Sequence, residues 1–305
     1  MMRLRSILLL SLLLALPLKA ANEAGSDAVL TPNGTLLIAQ RSADGHALQL
    51  VSTNGEKRVV ENVPLRDSVT RVSDPRIAWD AHTNTLIVLS RQTRGREGDD
   101  IVTLTRDTEG IWSAPHLVVC SESSCSGPPQ IAVTRPQSTN VLLLHAVWLD
   151  GDRPQYQLLA FEGAHLISKY ATDLGDFAAC ENLGTNDDVT TRPLTIASEN
   201  EEVDIVFGLP ASITLSRVTF KPRLDARVWV PGGRQINRTP YQNLDSVSTI
   251  RALTAGGHIV LYTVDGNIFR YAIEANGEWQ PTRALRIDEK VSVDAIVREL
   301  RRAAN

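Results

Sequence analysis

One arrangement of short runs recurs five times along this chain and limits what it can fold into. Five apolar runs stand out: TLLIAQRS (35–42), TLIVLSRQ (85–92), NVLLLHAVWL (140–149), EVDIVFGL (202–209) and GHIVLYTV (257–264). Each is rich in β-branched and aliphatic residues and bounded by Gly, Asn, Asp or Pro, the pattern of a buried strand. A shorter strand precedes each, beginning near Ala28, Pro75, Pro129, Pro193 and Ile250. A proline can open a strand without breaking a ladder. A hairpin follows each run, with turn residues Asn54-Gly55, Glu109-Gly110, Glu162-Gly163 and Asn276-Gly277, and Pro222 marking the fourth.

The repeating unit is therefore a short strand, a buried strand and an outer hairpin: a four-stranded antiparallel meander with a period of about 45–65 residues. Unrelated hairpins in a sandwich would not keep one internal order five times. The reading is an all-β chain, a β-propeller of about five four-stranded blades, with innermost strands near 75–80, 129–134, 193–198 and 250–254. The connectors 175–192 and 232–249 are long enough to hold part of a sixth blade.

The two ends differ from the repeat. Residues 1–20 carry Arg3 and Arg5, then an apolar stretch from Ile7 to Leu18, then Ala20 at a small-residue site. That is the pattern of a cleavable export signal, and the stretch is too short to span a bilayer, which takes about 20 residues. The expected location is secreted or periplasmic, with no transmembrane anchor. Residues 21–288 are read as the propeller domain and 289–305 as a C-terminal helix. In that helix Val293, Ile296, Val297 and Leu300 fall at helical spacing and Ser292 is placed to cap.

Charge narrows the partners. Without residues 1–20, which hold three basic and no acidic residues, the chain has 28 basic and 35 acidic groups, a formal charge of −7. Nucleic acid is excluded as a partner, because binding it needs a basic surface that releases counterions from phosphates. Three cysteines remain: Cys120, Cys125 and Cys180. An oxidising compartment allows one bridge and one leftover thiol; Cys120–Cys125 is preferred to Cys125–Cys180. The six histidines are scattered singly and the cysteines lack a zinc spacing, so no metal and no cofactor is expected. There is also no Gly-x-Ser-x-Gly turn, dinucleotide fingerprint or P-loop.

The hairpin Thr105-Arg106-Asp107-Thr108-Glu109-Gly110-Ile111-Trp112-Ser113 resembles the Asp box of sialidase-type propellers, with one residue inserted before the glycine. Ala275 to Trp279 is similar but more eroded. The resemblance implies a structural role: Asp107 caps the turn, Gly110 supplies a positive φ, and Trp112 packs between blades. It also implies that chemistry would sit on the opposite face, where connectors between blades meet the turns after the buried strands.

On that loop face Asp74, Arg76, Arg192 and Arg251 lie at the starts of innermost strands. Converging arginines grip a carboxylate with forked bonds, as the arginines of sialidases do. A sialidase also needs an acidic proton donor and a tyrosine paired with glutamate; Asp74 fits the first role, and no Tyr–Glu pair can be assigned. Two functions follow. One is a non-catalytic exported module that binds a protein or carbohydrate ligand on its loop face. The alternative is a sialidase-like glycoside hydrolase with an arginine-lined pocket.

Overall fold

The computed structural model describes most of residues 26–286. It leaves out 1–25, 122–128, 175–193, 209–213, 241–250, 287–305 and a few turn positions, among them 55–56, 96–97, 151–152 and 276–277. The export signal, the C-terminal helix, Arg192, Cys125, Cys180, the connector 175–192 and the end of the connector 232–249 therefore lie outside the described residues. Of Cys120 only the backbone is described.

Five antiparallel sheets follow one another along the chain. The first is β1 (Ser26–Leu30), β2 (Leu36–Arg41), β3 (Leu48–Asn54) and β4 (Lys57–Val63), hydrogen-bonded in that order. The second is β5 (Arg71–Asp80), β6 (Thr85–Thr93), β7 (Asp99–Arg106) and β8 (His116–Ser121). The third is β9 (Gln130–Thr134), β10 (Val141–Asp150), β11 (Arg153–Glu162) and β12 (His165–Asp173). The fourth is β13 (Leu194–Glu199), β14 (Glu202–Gly208), β15 (Thr214–Asp225) and β16 (Val228–Pro240). The fifth is β17 (Arg251–Ala255), β18 (His258–Asp265) and β19 (Ile268–Ala275). Its outer position is shared by β20 (Glu278–Trp279) and β21 (Arg283–Arg286), both paired with β19.

The chain divides into two compact units. One holds Glu23–Ala171 together with the hairpin tip Leu224–Trp229; the other holds Thr172–Arg223 and the chain from Val230 onward. In the first unit β1 packs against β5 and β5 against β9, so the first strands of consecutive sheets are neighbours. In the second, β13 packs against β17 in the same way. Meanders with adjacent first strands are the blades of a β-propeller, and the fold is all-β of that class.

The second sheet shows why its strands read as unbroken apolar runs. Leu86 and Val88 on β6, with Leu104 and Val102 on β7, face the first sheet and join Leu37, Leu48 and Leu50 in one core. The alternate residues Ile87, Leu89 and Ile101 face the third sheet and join Leu142, Leu144, Leu159 and Phe161. Side chains alternate across a strand, so a sheet covered on both faces needs apolar residues in both phases.

Each pair of consecutive sheets within a unit is also tied by an arginine. Arg106 on β7 forks onto Glu61 of β4, with Nε and Nη2 each 3.0 Å from a carboxylate oxygen. Arg135, just past β9, binds Asp80 at the end of β5. In the second unit Arg217 on β15 donates to Asp204 of β14 at 2.7 Å and to Glu274 of β19. Asp204 and Glu274 are 3% and 5% exposed, so the guanidinium compensates two buried charges.

Two stretches differ from the sequence reading. Pro222 lies inside β15, and the turn of that hairpin falls at Ala226 and Arg227, with φ of 44° and 77°. Residues 232–240, expected as connector, continue β16 as strand.

Candidate functional site

In the first sheet pair the core face turns polar towards one end. Along β6 the phase that begins Leu86 and Val88 continues as Ser90 and Gln92. On β7, Asp100 stands directly opposite Gln92. All three polar residues are buried, Ser90 and Gln92 completely and Asp100 to 1% exposure. Gln92 Nε2 donates to Ser90 Oγ at 3.3 Å, and Gln92 Oε1 accepts the Arg66 backbone N–H at 3.1 Å. Buried polar groups need partners, and here the partners come from the segment that crosses above them.

That segment is the connector from β4 to β5. It is fastened to the β6–β7 turn: the Thr70 backbone N–H and hydroxyl both donate to Thr93 O, at 2.8 and 3.1 Å, and Thr70 Oγ1 accepts from Gly95 N at 3.2 Å. It is fastened to the β2–β3 turn as well, where His46 Nδ1–H donates to Thr70 O at 2.6 Å. The connector and the β6–β7 turn thus enclose one concavity of about 900 Å³. Its lining is Arg66, Asp67, Ser68 and Thr70 from the connector, Arg94 and Gly95 from the turn, and the apolar Leu65 and Pro115.

The electrostatics of the floor are unusual. Arg66 Nη1 lies 2.5 Å and Arg94 Nε 2.7 Å from the same oxygen, Oδ2 of Asp100. The Asp100 side chain is 2% exposed, while the side chains of Arg66 and Arg94, both lining the concavity, are 30% and 22% exposed. One buried anion therefore holds two cations together at the floor of the concavity. Of the lining residues only Asp67 is acidic.

The residues expected to form a site are placed as follows. Asp74 and Arg76 sit at an irregularity of β5, where the pairing with β6 jumps from Ser73–Arg91 to Arg76–Leu89. Asp74 adopts φ 50°, accepts the Ser73 hydroxyl at 3.0 Å, and lies 3.4 Å from Arg91 Nε. Arg76 is 6% exposed and donates from Nη1 to Pro75 O at 2.8 Å. Arg251 opens β17 opposite Tyr262, and only its backbone is described. Arg76 belongs to one compact unit and Arg251 to the other. Among the described residues no cluster of three or more metal-ligating side chains occurs.

The hairpin 105–113 is held by its own side chains. Asp107 Oδ1 accepts the backbone N–H groups of Glu109 and Ile111 at 3.0 and 2.8 Å, and Gly110 takes φ 84°. Trp112 packs against the core between the first two sheets and donates Nε1–H to Glu61 Oε1 at 2.7 Å.

Arg66, Arg94 and Asp100 were not singled out from the sequence. A usable signal was present in TLIVLSRQT, where the buried phase changes from Leu86 and Val88 to Ser90 and Gln92.

No protein-family model matches this chain, and no curated protein does. Solved structures are similar to it over most of their length. A mutant of the Aleuria aurantia lectin in complex with α-methyl-L-fucoside is 11% identical, with 88% of this chain and 79% of that chain covered and a TM-score of 0.46. The Penicillium chrysogenum α-L-arabinanase complexed with arabinobiose is 13% identical, with 84% and 79% covered and a TM-score of 0.46. The GH93 α-L-arabinofuranosidase of Fusarium graminearum with arabinobiose is 10% identical, with 81% and 76% covered and a TM-score of 0.46.

Proposed function

We propose that the protein is an exported, non-catalytic binding module that takes an acidic saccharide in the cleft formed by the β4–β5 connector and the β6–β7 turn. Residues 1–20 serve as the export signal and residues 21–288 as the binding domain. The observation that carries this reading is the pair of guanidiniums, Arg66 and Arg94, held on one buried oxygen of Asp100 and partly open to the cleft.

Chemistry favours an anionic ligand. A guanidinium presents five donors in a planar fork whose geometry matches a carboxylate or sulfate. A carboxylate or sulfate in the cleft would match that fork with charge-assisted bonds. Size favours a small ligand over a protein surface: about 900 Å³ lies within the range of small-molecule sites, whereas protein interfaces are broad and flat. The hydroxyl of Ser68 and the carboxylate of Asp67 at the rim suit sugar hydroxyls.

The lining argues against hydrolysis. A glycosidase needs two carboxyl groups facing each other across the bond to be broken. This cleft is lined by one, Asp67, and the nearby Asp100 is buried beneath two arginines. Asp74, the expected proton donor of the hydrolase reading, is engaged with Ser73 and Arg91.

Calorimetric titration of the purified protein with uronate, sulfated and neutral oligosaccharides tests the proposal. The expected result is binding of the acidic sugars that weakens with salt and is lost in Arg66→Ala. Release of the fluorophore from a set of fluorogenic glycosides would replace it with the hydrolase reading, and no binding of any sugar would remove it.

A further inference from the structure

The first compact unit has three outermost strands, β4, β8 and β12, and an outermost strand exposes a row of backbone groups that invites pairing. Two of the three are covered. On β8 the Lys169 ammonium reaches across from β12 and donates to Leu117 O at 3.3 Å and Val118 O at 3.0 Å. On β12 the tip of the β15–β16 hairpin abuts the strand: Trp229, 7% exposed, donates its backbone N–H to Ser168 Oγ. Among the described residues nothing pairs with the outer side of β4.

The side chains of β4 are not those of a guarded edge. Val59 and Val60 are 45% and 48% exposed, one on each face of the strand. Edge strands that avoid association usually carry charge or proline at such central positions.

We infer that β4 is a self-association edge, and that its occupant is β4 of a second copy of this chain. The charge pattern of the strand selects this occupant. Joining two copies edge to edge, antiparallel, into one continuous sheet requires a two-fold axis perpendicular to the sheet. Such an axis keeps faces, so it must pass through a residue position. Placed at Val59, it sets Val59 opposite Val59 of the second copy and Lys57 opposite Glu61, twice over, all on one face. On the other face it lays the aliphatic stem of Arg58 over Val60. Opposite charges and β-branched pairs directly across a ladder are both favourable. Glu61, although held by Arg106, keeps 32% of its side chain exposed and can accept the second cation. A seven-residue edge buries little area, so the pairing is weak and reversible, of the transient class. It goes beyond binding by one cleft: Leu65 and Arg66 follow the C-terminal end of β4, and the axis at Val59 sets the two such ends roughly 40 Å apart, about twelve residues of strand, on the same face, so a long polymeric ligand could be held at both clefts.

Sedimentation of the mature protein over a wide concentration range tests this. The expected result is a monomer–dimer equilibrium. Val59→Lys, which sets two ammonium groups against each other on the axis, should weaken it by more than about tenfold, the equivalent of ~1.4 kcal/mol. Val59→Ile should keep it. Ile167→Lys alters a comparably exposed apolar residue on the covered β12 edge and should leave the equilibrium unchanged. Thermal melts of each variant confirm that it is folded. A protein that stays monomeric throughout, a dimer that survives Val59→Lys, or one that Ile167→Lys dissolves would each overturn the inference.

Discussion

Trp112 donates its indole N–H to Glu61 at 2.7 Å, so a hairpin of the second sheet is anchored on the outer strand of the first. The same carboxylate takes the forked bond of Arg106, whose Cζ lies 5.9 Å from the centre of the Trp112 ring. Trp112→Ala removes the ring from the inter-sheet core and leaves Glu61 with one partner fewer among those described. Full truncation of a buried aromatic costs about 3–5 kcal/mol. For this half-buried ring a loss of about 2–3 kcal/mol is expected, read as a lower midpoint in urea. Unchanged stability would mean that the hairpin does not hold the two sheets together.

Gly110 is the second fixed point of that hairpin. Its φ of 84° is one that side chains rarely adopt, and an added Cβ would meet Arg106 Nη2 at 2.9 Å. Gly110→Ala should therefore cost about 1–2 kcal/mol. It should also disturb the Arg106–Glu61 fork, so its effect and that of Arg106→Ala should fail to add in a double-mutant cycle.

The buried His145 predicts a pH dependence. Its ring nitrogens lie 2.8 Å from Thr134 Oγ1 and 2.9 Å from Tyr156 OH, and burial lowers its pKa from 6.5 to about 3. In the folded chain the ring stays neutral, while in the unfolded chain it takes up a proton near pH 6.5. The stability it confers is full above about pH 6.5 and is lost progressively as pH falls towards 3. At about pH 5 the expected loss is ~2 kcal/mol, since each pH unit below the unfolded pKa removes about 1.4 kcal/mol. Urea melts at neutral pH and at about pH 5 measure it. His145→Gln should be less stable at neutral pH but flatter across this window. An equally steep fall in the variant would assign the pH dependence elsewhere.

The cleft predicts opposite effects for its two kinds of charge. Asp100→Asn leaves two neighbouring guanidiniums without their shared anion and should cost about 3 kcal/mol. Arg66→Ala relieves that crowding and removes a side chain that is 30% exposed, so the melting temperature should stay near that of the parent while acidic-sugar binding is lost. If Arg66→Ala destabilises as much as Asp100→Asn, the arginine pair is a structural tie and the cleft loses its argument.

The strands could be read from the sequence because each depends on neighbours a few residues away. Alternating or continuous apolar runs marked β6, β10, β14 and β18, and turn residues marked their ends. The cleft depends on distant neighbours. Arg66 and Asp100 are 34 residues apart and meet only because the first and second sheets pack face to face. The turn of the fourth hairpin was misplaced for a related reason. Positive φ is usually supplied by glycine or asparagine, yet Ala226 and Arg227 adopt it here. The turn is set by the long strands on either side, and Pro222 lies within one of them.

The irregularity at Asp74 also fixes which way the first strand of the second sheet presents its side chains. Val72 and Ile77 both belong to the core shared with the first sheet, although they are five residues apart. In an even strand an odd separation sends two side chains to opposite sides. Between Ser73 and Arg76 the strand advances three residues while β6 advances two, and this single extra step reverses the alternation and returns both side chains to one side. Removing Asp74 would give a smoother ladder with no residue at positive φ. Keeping Asp74 in an even ladder would instead place Val72, now fully buried, on the side away from Ile77. The local strain at Asp74 is thus the means by which one strand keeps a single apolar face along its length.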